Sequence, residues 1–96
     1  MSDPDKEARI LKRQVKQARQ KVVARFRKAG YNVIDSNDDP FSFIGVRGVD
    51  IRFVRVSIGE TDSCLMRRIR SIGCPTNCTK ELWEKKAGDF SFREIR

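Results

Sequence analysis

The segment FSFIGVRGVDIRFVRVSI, residues 41–58, has the clearest β-hairpin pattern of the chain. Both of its halves show the alternating pattern of a strand, in which successive side chains point to opposite faces of a sheet. Between them, RGVD at 47–50 makes a tight connection of the kind that joins antiparallel strands. We therefore predict a hairpin over residues 41–58 with at least one buried face.

Upstream of the hairpin, the sequence predicts one long helix over residues 4–29. Asp3 can cap its first amide groups, and Pro4 suits the first helical position. Gly30 is placed to end the helix. A single apolar stripe recurs at intervals of three and four residues, as expected for a helix that covers a sheet: Leu11, Val15, Ala18, Val22, Phe26 and Ala29.

The remaining segments complete one α/β domain over residues 1–96. A short strand at 31–35 and a loop rich in turn formers at 36–40 separate the long helix from the hairpin. After a loop at 59–62, apolar residues return at helical spacing up to Gly73 and predict a second, shorter helix: Leu65, Met66, Ile69 and Ile72. Residues 79–85 and 90–95 predict a final hairpin. The expected order is α-β-β-β-α-β-β, with a small mixed sheet of about five strands.

Charge is the strongest compositional feature of these 96 residues, with a net charge of +8 and a pI near 9.9. A polyanion gains affinity when lysine and arginine neutralise its phosphates and release counterions. The predicted first helix has only three acids, Asp3, Asp5 and Glu7, against ten bases. Because acids stop after residue 7, this helix resembles a phosphate-contacting surface, with an ordinary solvated face as the alternative.

We therefore predict that the chain binds nucleic acid, mainly through phosphates and with little sequence preference. The expected contacts lie on the first helix at Lys12, Arg13, Lys16 and Arg19, and on the second helix at Arg67, Arg68 and Arg70. Acidic proteins and anionic lipids are the alternative partners of a basic surface. Tyr31 and Trp83 are predicted to pack in or beside the core, with stacking on a base as the alternative.

Other chemistry has little support in the sequence. The chain has no histidine for proton transfer near neutral pH and no Gly-rich phosphate loop. Its three cysteines, Cys64, Cys74 and Cys78, are odd in number and irregular in spacing, which predicts a reducing, cytoplasmic setting. Zinc binding or a disulfide at Cys74 and Cys78 stays open as an alternative. No apolar run is long enough to span a membrane. We expect no cofactor, no metal and no small-molecule substrate.

Three segments together resemble the restriction-endonuclease-like, or PD-(D/E)xK, superfamily, and in particular its small archaeal Holliday-junction-resolvase-like members. They are the basic helix that ends in FRKAGYNVI at 26–34, the hairpin at 41–57 and the closing strand pair that contains KELW at 80–83. The resemblance covers nearly the whole chain and implies a nuclease-like fold that binds DNA. A short basic chain of this kind also suits a virus or mobile element, an interpretation that rests on size alone.

Active members of that superfamily carry an aspartate on the second strand and a Glu-x-Lys on the third, which hold a divalent metal and position the attacking water. In this chain those positions correspond to Ser42, Arg55 and Ser57. The resemblance therefore implies a catalytically inactive module, in which Arg55 would repel Mg²⁺ and attract phosphate. Alternatively, the three are ordinary strand positions and the alignment is displaced by two residues.

Two further hypotheses are kept. The first is a Mg²⁺-dependent endonuclease whose acidic site has moved to the strand ends, at Asp38, Asp39, Asp50 or Glu60. The second is an assembly module, in which the hairpin edge or the first helix pairs two subunits of a homodimer, because 96 residues bury little surface alone.

Overall fold

The computed structural model describes residues 4–36, 40–74 and 76–95, which form two helices and one five-stranded sheet. In chain order the elements are α1 (Pro4–Lys28), β1 (Asn32–Asp35), β2 (Phe43–Arg47), β3 (Asp50–Ile58), α2 (Ser63–Ser71), β4 (Cys78–Lys86) and β5 (Asp89–Ile95). This order confirms the prediction of a helix, three strands, a helix and two strands. The predicted cap at Asp3 lies outside the described residues.

The sheet is mixed, as predicted, and its strands follow the order β1-β2-β3-β4-β5. Neighbouring strands are antiparallel except β3 and β4, which are parallel and pair from Ile51 with Cys78 to Ile58 with Lys85. Parallel neighbours need a connection that returns along the sheet, since a tight turn only joins antiparallel strands. Helix α2 provides that connection, and it therefore lies across one face of the sheet.

Helix α1 packs on the other face, where its buried residues Val22 and Phe26 meet Phe43 of β2 and Val54 of β3. The Phe26 ring packs edge-on against the Phe43 ring, with 5.2 Å between centroids. Such an arrangement suits the aromatic quadrupole and adds to the area buried. The middle and end of α1 therefore hold the larger of the two apolar clusters.

The predicted apolar stripe of α1 is only partly correct. Leu11 and Val15 are 52% and 37% exposed, and Ala29 is exposed as well, whereas Val23, which the stripe omitted, is buried. The reason is length, because a 25-residue helix extends about 37 Å and the nine residues of β3 only about 30 Å. The first half of α1 consequently extends past the strands that its second half covers.

The α2 face carries the second apolar cluster, in which Met66 and Ile69 pack against Leu82 and Ile95. Leu82 and its neighbour Trp83 belong to different clusters because successive side chains of a strand point to opposite faces. The predicted helical residue Ile72 is the C-cap of α2 and is 36% exposed, so this part of the predicted stripe was wrong.

One lysine lies inside this second layer. Lys80 of β4 is 6% exposed, and its Nζ donates to the carbonyl oxygens of Ile69 at 2.9 Å, Arg70 at 3.2 Å and Ile72 at 2.8 Å. The last carbonyls of a helix have no partner within it and carry the negative end of its dipole. A buried ammonium therefore ends α2 and holds it to the sheet.

A glycine on β2 is needed for α1 to approach the sheet. A Cβ at Gly45 would lie 2.9 Å from Cδ1 of Phe26, a clash with a buried ring that has little room to move. We expect Gly45→Ala to lower the free energy of unfolding by about 1–3 kcal/mol through overpacking. At Gly73, a Cβ would meet nothing within 4 Å, so Gly73→Ala should leave stability unchanged or slightly raised. Urea denaturation of both variants checks this, and equal effects would contradict the packing argument.

Candidate nucleic-acid interface

The exposed side of α1 carries most of the positive charge that the sequence places on it. Only Ala18, Val22, Val23 and Phe26 of this helix are buried, so the rest of its surface faces solvent. The predicted contacts Lys12, Arg13 and Lys16 are all exposed, and we call these three residues the α1 surface. The described acids of α1, Asp5 and Glu7, both lie in its first turn and leave the later turns without acids.

Arg19, the fourth contact predicted on α1, also makes contacts within the protein. It forms an ion pair with Asp35 of β1, and its Nε donates to the carbonyl oxygen of Ser42 at 3.4 Å. Its side chain is 30% exposed. The ion pair with Asp35 joins α1 to the sheet and offsets part of the charge of Arg19, whose contact with phosphate stays a prediction.

The three positions implied by the nuclease resemblance come together where β3 extends beyond β2. The β2–β3 pairing ends at Phe43 with Val54, which places Ser42 opposite Arg55. Ser42 Oγ accepts from the Val56 amide at 3.0 Å. Arg55 donates through Nε to Ser57 Oγ at 3.2 Å and through Nη1 to the Pro40 carbonyl at 3.1 Å. Part of the guanidinium predicted to contact phosphate therefore binds the protein's own acceptors.

Of the four acids considered for a relocated metal site, the two that the structure describes, Asp50 and Glu60, do not converge. Asp50 begins β3 and Glu60 follows its end, so the nine residues of the strand separate them. Glu60 faces Lys86, with 3.8 Å between Oε1 and Nζ. Asp38 and Asp39 lie outside the described residues. Within residues 4–36, 40–74 and 76–95, no three side chains of the ligand-forming types cluster closely enough to hold a metal ion.

Asp50 instead belongs to a chain of polar contacts that the sequence analysis missed. Tyr31 donates its hydroxyl to Asp50 Oδ2 at 2.5 Å, and Arg52 lies 3.4 Å from the same carboxylate. Arg52 also pairs with the buried Glu81 at 2.6 Å, and Glu81 accepts from Trp83 Nε1 at 3.0 Å. Arg52 and Glu81 are 29 residues apart in sequence and meet because β3 and β4 are parallel neighbours. The sequence indicated these contacts in one way, because β3 and β4 both have charged residues at positions that face the core.

The pKa values of the residues in this series of polar contacts are shifted by those contacts. The Tyr31 hydroxyl and the Arg52 guanidinium lower the pKa of Asp50, although burial opposes them. Burial and the Asp50 contact raise the pKa of Tyr31 above 10.0. For Arg52, burial favours the neutral form, but the two carboxylates prevail and its pKa is raised.

Stability should therefore depend on Asp50 in acid. Its pKa is lower in the folded than in the unfolded state, so the ionised carboxylate stabilises the fold above about pH 3.8, and this contribution is lost as the pH falls through the folded value. Asp50→Asn should be less stable at pH 7 and show a shallower loss of stability in acid than wild type. Urea denaturation between pH 2 and 7 measures both. If the free energy of unfolding of Asp50→Asn fell as steeply with decreasing pH as that of wild type, Asp50 would not contribute to the acid dependence of stability.

A second group of arginines lies on the α2 side of the sheet. The predicted contacts Arg67, Arg68 and Arg70 are exposed on α2. Arg93 of β5 joins Arg67 and Arg70 around one cavity, and we call these three the α2–β5 site. The sequence analysis missed Arg93, although its spacing of two from the buried Ile95 indicated the same face. The two predicted sets of contacts therefore lie on helices that pack on opposite faces of the sheet.

The two aromatic residues considered for stacking are part of the core. Tyr31 is 7% and Trp83 9% exposed, which confirms the prediction that they pack in or beside it. The Trp83 ring lies parallel to Phe92, with 4.7 Å between centroids, and the Arg25 guanidinium lies 5.7 Å from the Trp83 ring. Neither aromatic ring is available to a base without displacing a neighbour.

The chain matches no protein-family model, and searches of curated proteins and of solved structures found no significant match. The three cysteines are free thiols, and burial raises the pKa of Cys74, which lies beside Cys78. Across the described part of the chain, neither helix is long and apolar enough to cross a membrane.

Proposed function

We propose that this protein binds nucleic acid without cleaving it, mainly through phosphate contacts from the α1 surface. The observation that supports this most strongly is that Lys12, Arg13 and Lys16 are exposed on a helix whose later turns carry no acid. Among the described residues, no carboxylate pairs with any of these three. Such cations gain free energy from phosphates chiefly by counterion release.

The lack of cleavage is proposed from the positions at the end of β2. A metal-dependent nuclease needs carboxylates that hold the cation, whereas Ser42 and Ser57 offer hydroxyl groups and Arg55 brings a positive charge between them. The same charge disfavours a divalent cation at this place. DNA is the nucleic acid that the nuclease resemblance favours, and phosphate contacts alone do not distinguish it from RNA.

Titration of the protein into labelled duplex, four-way-junction and single-stranded DNA tests both parts of the proposal. With Mg²⁺ or Mn²⁺ present, the same samples run on a denaturing gel reveal any cleavage. We expect binding to unrelated duplex sequences with Kd values within a few-fold of one another, and intact strands. Cleavage that persists in Asp50→Ala but is abolished in Glu60→Ala would contradict the proposed lack of nuclease activity. It would favour an acidic active site near the end of β3.

Self-association through α1 is a second candidate function, and one observation favours it. Leu11 and Val15 are 52% and 37% exposed and lie four residues apart on one side of the end of the helix that extends past the sheet. Contiguous apolar residues on a surface mark contacts with other chains more often than isolated ones do. Sedimentation equilibrium at rising concentration tests it. A dimer that Leu11→Gln converts to monomer supports it, and a wild-type monomer throughout would rule it out.

A further inference from the structure

The α2–β5 site has the composition of an anion-binding cavity. Arg67, Arg70 and Arg93 line a space of about 430 Å³ together with Thr61, Ser63 and Met66. Three arginines thus line it, and no carboxylate-bearing residue is among the lining residues. Within the described part of the chain, none of the three arginines forms an ion pair.

One contact orients a guanidinium at this cavity. Arg93 is held in place by a contact of 3.8 Å between Nη2 and the sulfur of Met66. Phosphate oxygens accept from both hydroxyl and guanidinium groups, and arginine suits them because its planar fork donates two parallel hydrogen bonds.

The nearest carboxylates are already engaged by backbone donors. Glu84, 6% exposed, accepts from the Thr61 amide at 2.7 Å. Asp62 caps α2 by accepting from the Leu65 amide at 2.8 Å. Both therefore contribute to the loop and helix start that position Thr61 and Ser63. Their negative charges reduce the local excess of positive charge but do not remove it, since three arginines line the cavity.

The α2–β5 site and the α1 surface lie on different parts of the protein. Helix α1 packs against one face of the sheet and α2 against the other, as the alternation of Phe53 and Val54 between the two apolar clusters shows. The α1 surface and the α2–β5 site thus involve helices that pack on opposite faces of the sheet. Bridging requires that a duplex bound at the α1 surface leaves the α2–β5 site free.

We propose that the α2–β5 site binds the phosphates of a second nucleic-acid segment, so that one molecule bridges two segments. The inference rests on the proposed function, because the α1 surface must hold the first segment. It goes beyond that function by assigning a separate site and a separate activity. Arg93 becomes part of the interface, and Arg68, which does not line the cavity, does not.

Energy transfer between two populations of short duplexes, one with a donor and one with an acceptor, measures bridging directly. Anisotropy of a single labelled duplex at limiting protein measures binding of the first segment. For wild type we expect energy transfer that rises to a maximum near one protein per two duplexes. Arg67→Gln/Arg70→Gln should require about tenfold more protein or greater for the same transfer, while its affinity for the first duplex changes by about twofold or less.

The matched control uses single substitutions on the same helix. Arg70→Gln and Arg68→Gln remove the same charge, and both side chains are exposed, but only Arg70 lines the cavity. We expect Arg70→Gln to weaken bridging and Arg68→Gln to leave it near the wild-type level. Glutamine has a helix propensity close to that of arginine, so α2 should remain folded in both.

Three results would overturn the proposal while leaving the proposed function intact. Bridging unaffected by Arg67→Gln/Arg70→Gln would assign it to a dimer that uses two α1 surfaces. Equal loss of first-duplex binding and bridging would show one continuous interface. Binding of a duplex without any energy transfer would exclude bridging by wild type. If the proposed function itself were wrong, the result would differ, because no duplex would bind even at low salt and no bridging would be observed.

Discussion

The Lys12→Gln/Lys16→Gln double variant is expected to bind duplex DNA about 60-fold more weakly than wild type at 0.1 M monovalent salt. Each phosphate neutralised changes the logarithm of the affinity by about 0.9 for each tenfold change in salt. At 0.1 M salt, tenfold below 1 M, the loss of two contacts therefore lowers the logarithm of the affinity by about 1.8. The slope of log Kd against log salt falls by about 1.8 as well. Fluorescence anisotropy at several salt concentrations measures both quantities.

The control for this variant changes the same charge on the same helix. Lys21 and Lys28 are exposed residues of α1, and Lys21 lies about half a turn around the helix from Lys12. Lys21→Gln/Lys28→Gln should weaken binding by only a few-fold, through the reduced net charge. Equal losses in the two double variants would show that binding follows the overall charge of the protein rather than the α1 surface.

The second large effect is expected at Lys80. Lys80→Met keeps the apolar stem but leaves the carbonyl groups of Ile69, Arg70 and Ile72 without the ammonium that binds them. Hydrogen bonds to charged groups contribute about 1.5–3 kcal/mol, and buried acceptors left without a donor add a desolvation cost. We expect the free energy of unfolding to fall by about 2–4 kcal/mol, measured by urea denaturation.

Lys85, five residues later on the same strand, provides the comparison. It is half-buried, and in the part of the chain that the structure describes its ammonium forms no ion pair. Lys85→Met should therefore change stability by about 0.5 kcal/mol or less. If Lys80→Met proved equally mild, the ammonium would contribute little and α2 would be held by Met66 and Ile69 alone.

Much of the fold could be predicted because each segment carries its own periodicity. The alternation within residues 41–58 gave the central hairpin, and the spacing of three and four gave both helices with errors of a few residues at their ends. The extent of burial along α1 could not be predicted in the same way. Leu11 and Val15 fit the stripe, but whether they are covered depends on the length of the strands beneath them.

The candidate sites were predicted less completely, for a related reason. Exposed cations such as Lys12 and Arg67 are visible in the sequence, since a run of bases without acids is a local feature. The partners of Arg19, Asp50 and Lys80 come from distant segments, so only the sheet order reveals that these charges are already engaged. The separation of α1 and α2 onto opposite faces is equally invisible before the parallel pairing of β3 and β4 is known.

Binding through phosphate contacts requires that the affinity for a duplex depends on salt concentration. We would measure Kd for one duplex at limiting protein between 0.05 and 0.3 M monovalent salt, an illustrative range of about sixfold chosen to resolve the slope. A set of three or four phosphate contacts predicts that log Kd rises with log salt with a slope of about 3. A Kd that stays constant over this range, or no measurable binding at its lower end, would contradict the account.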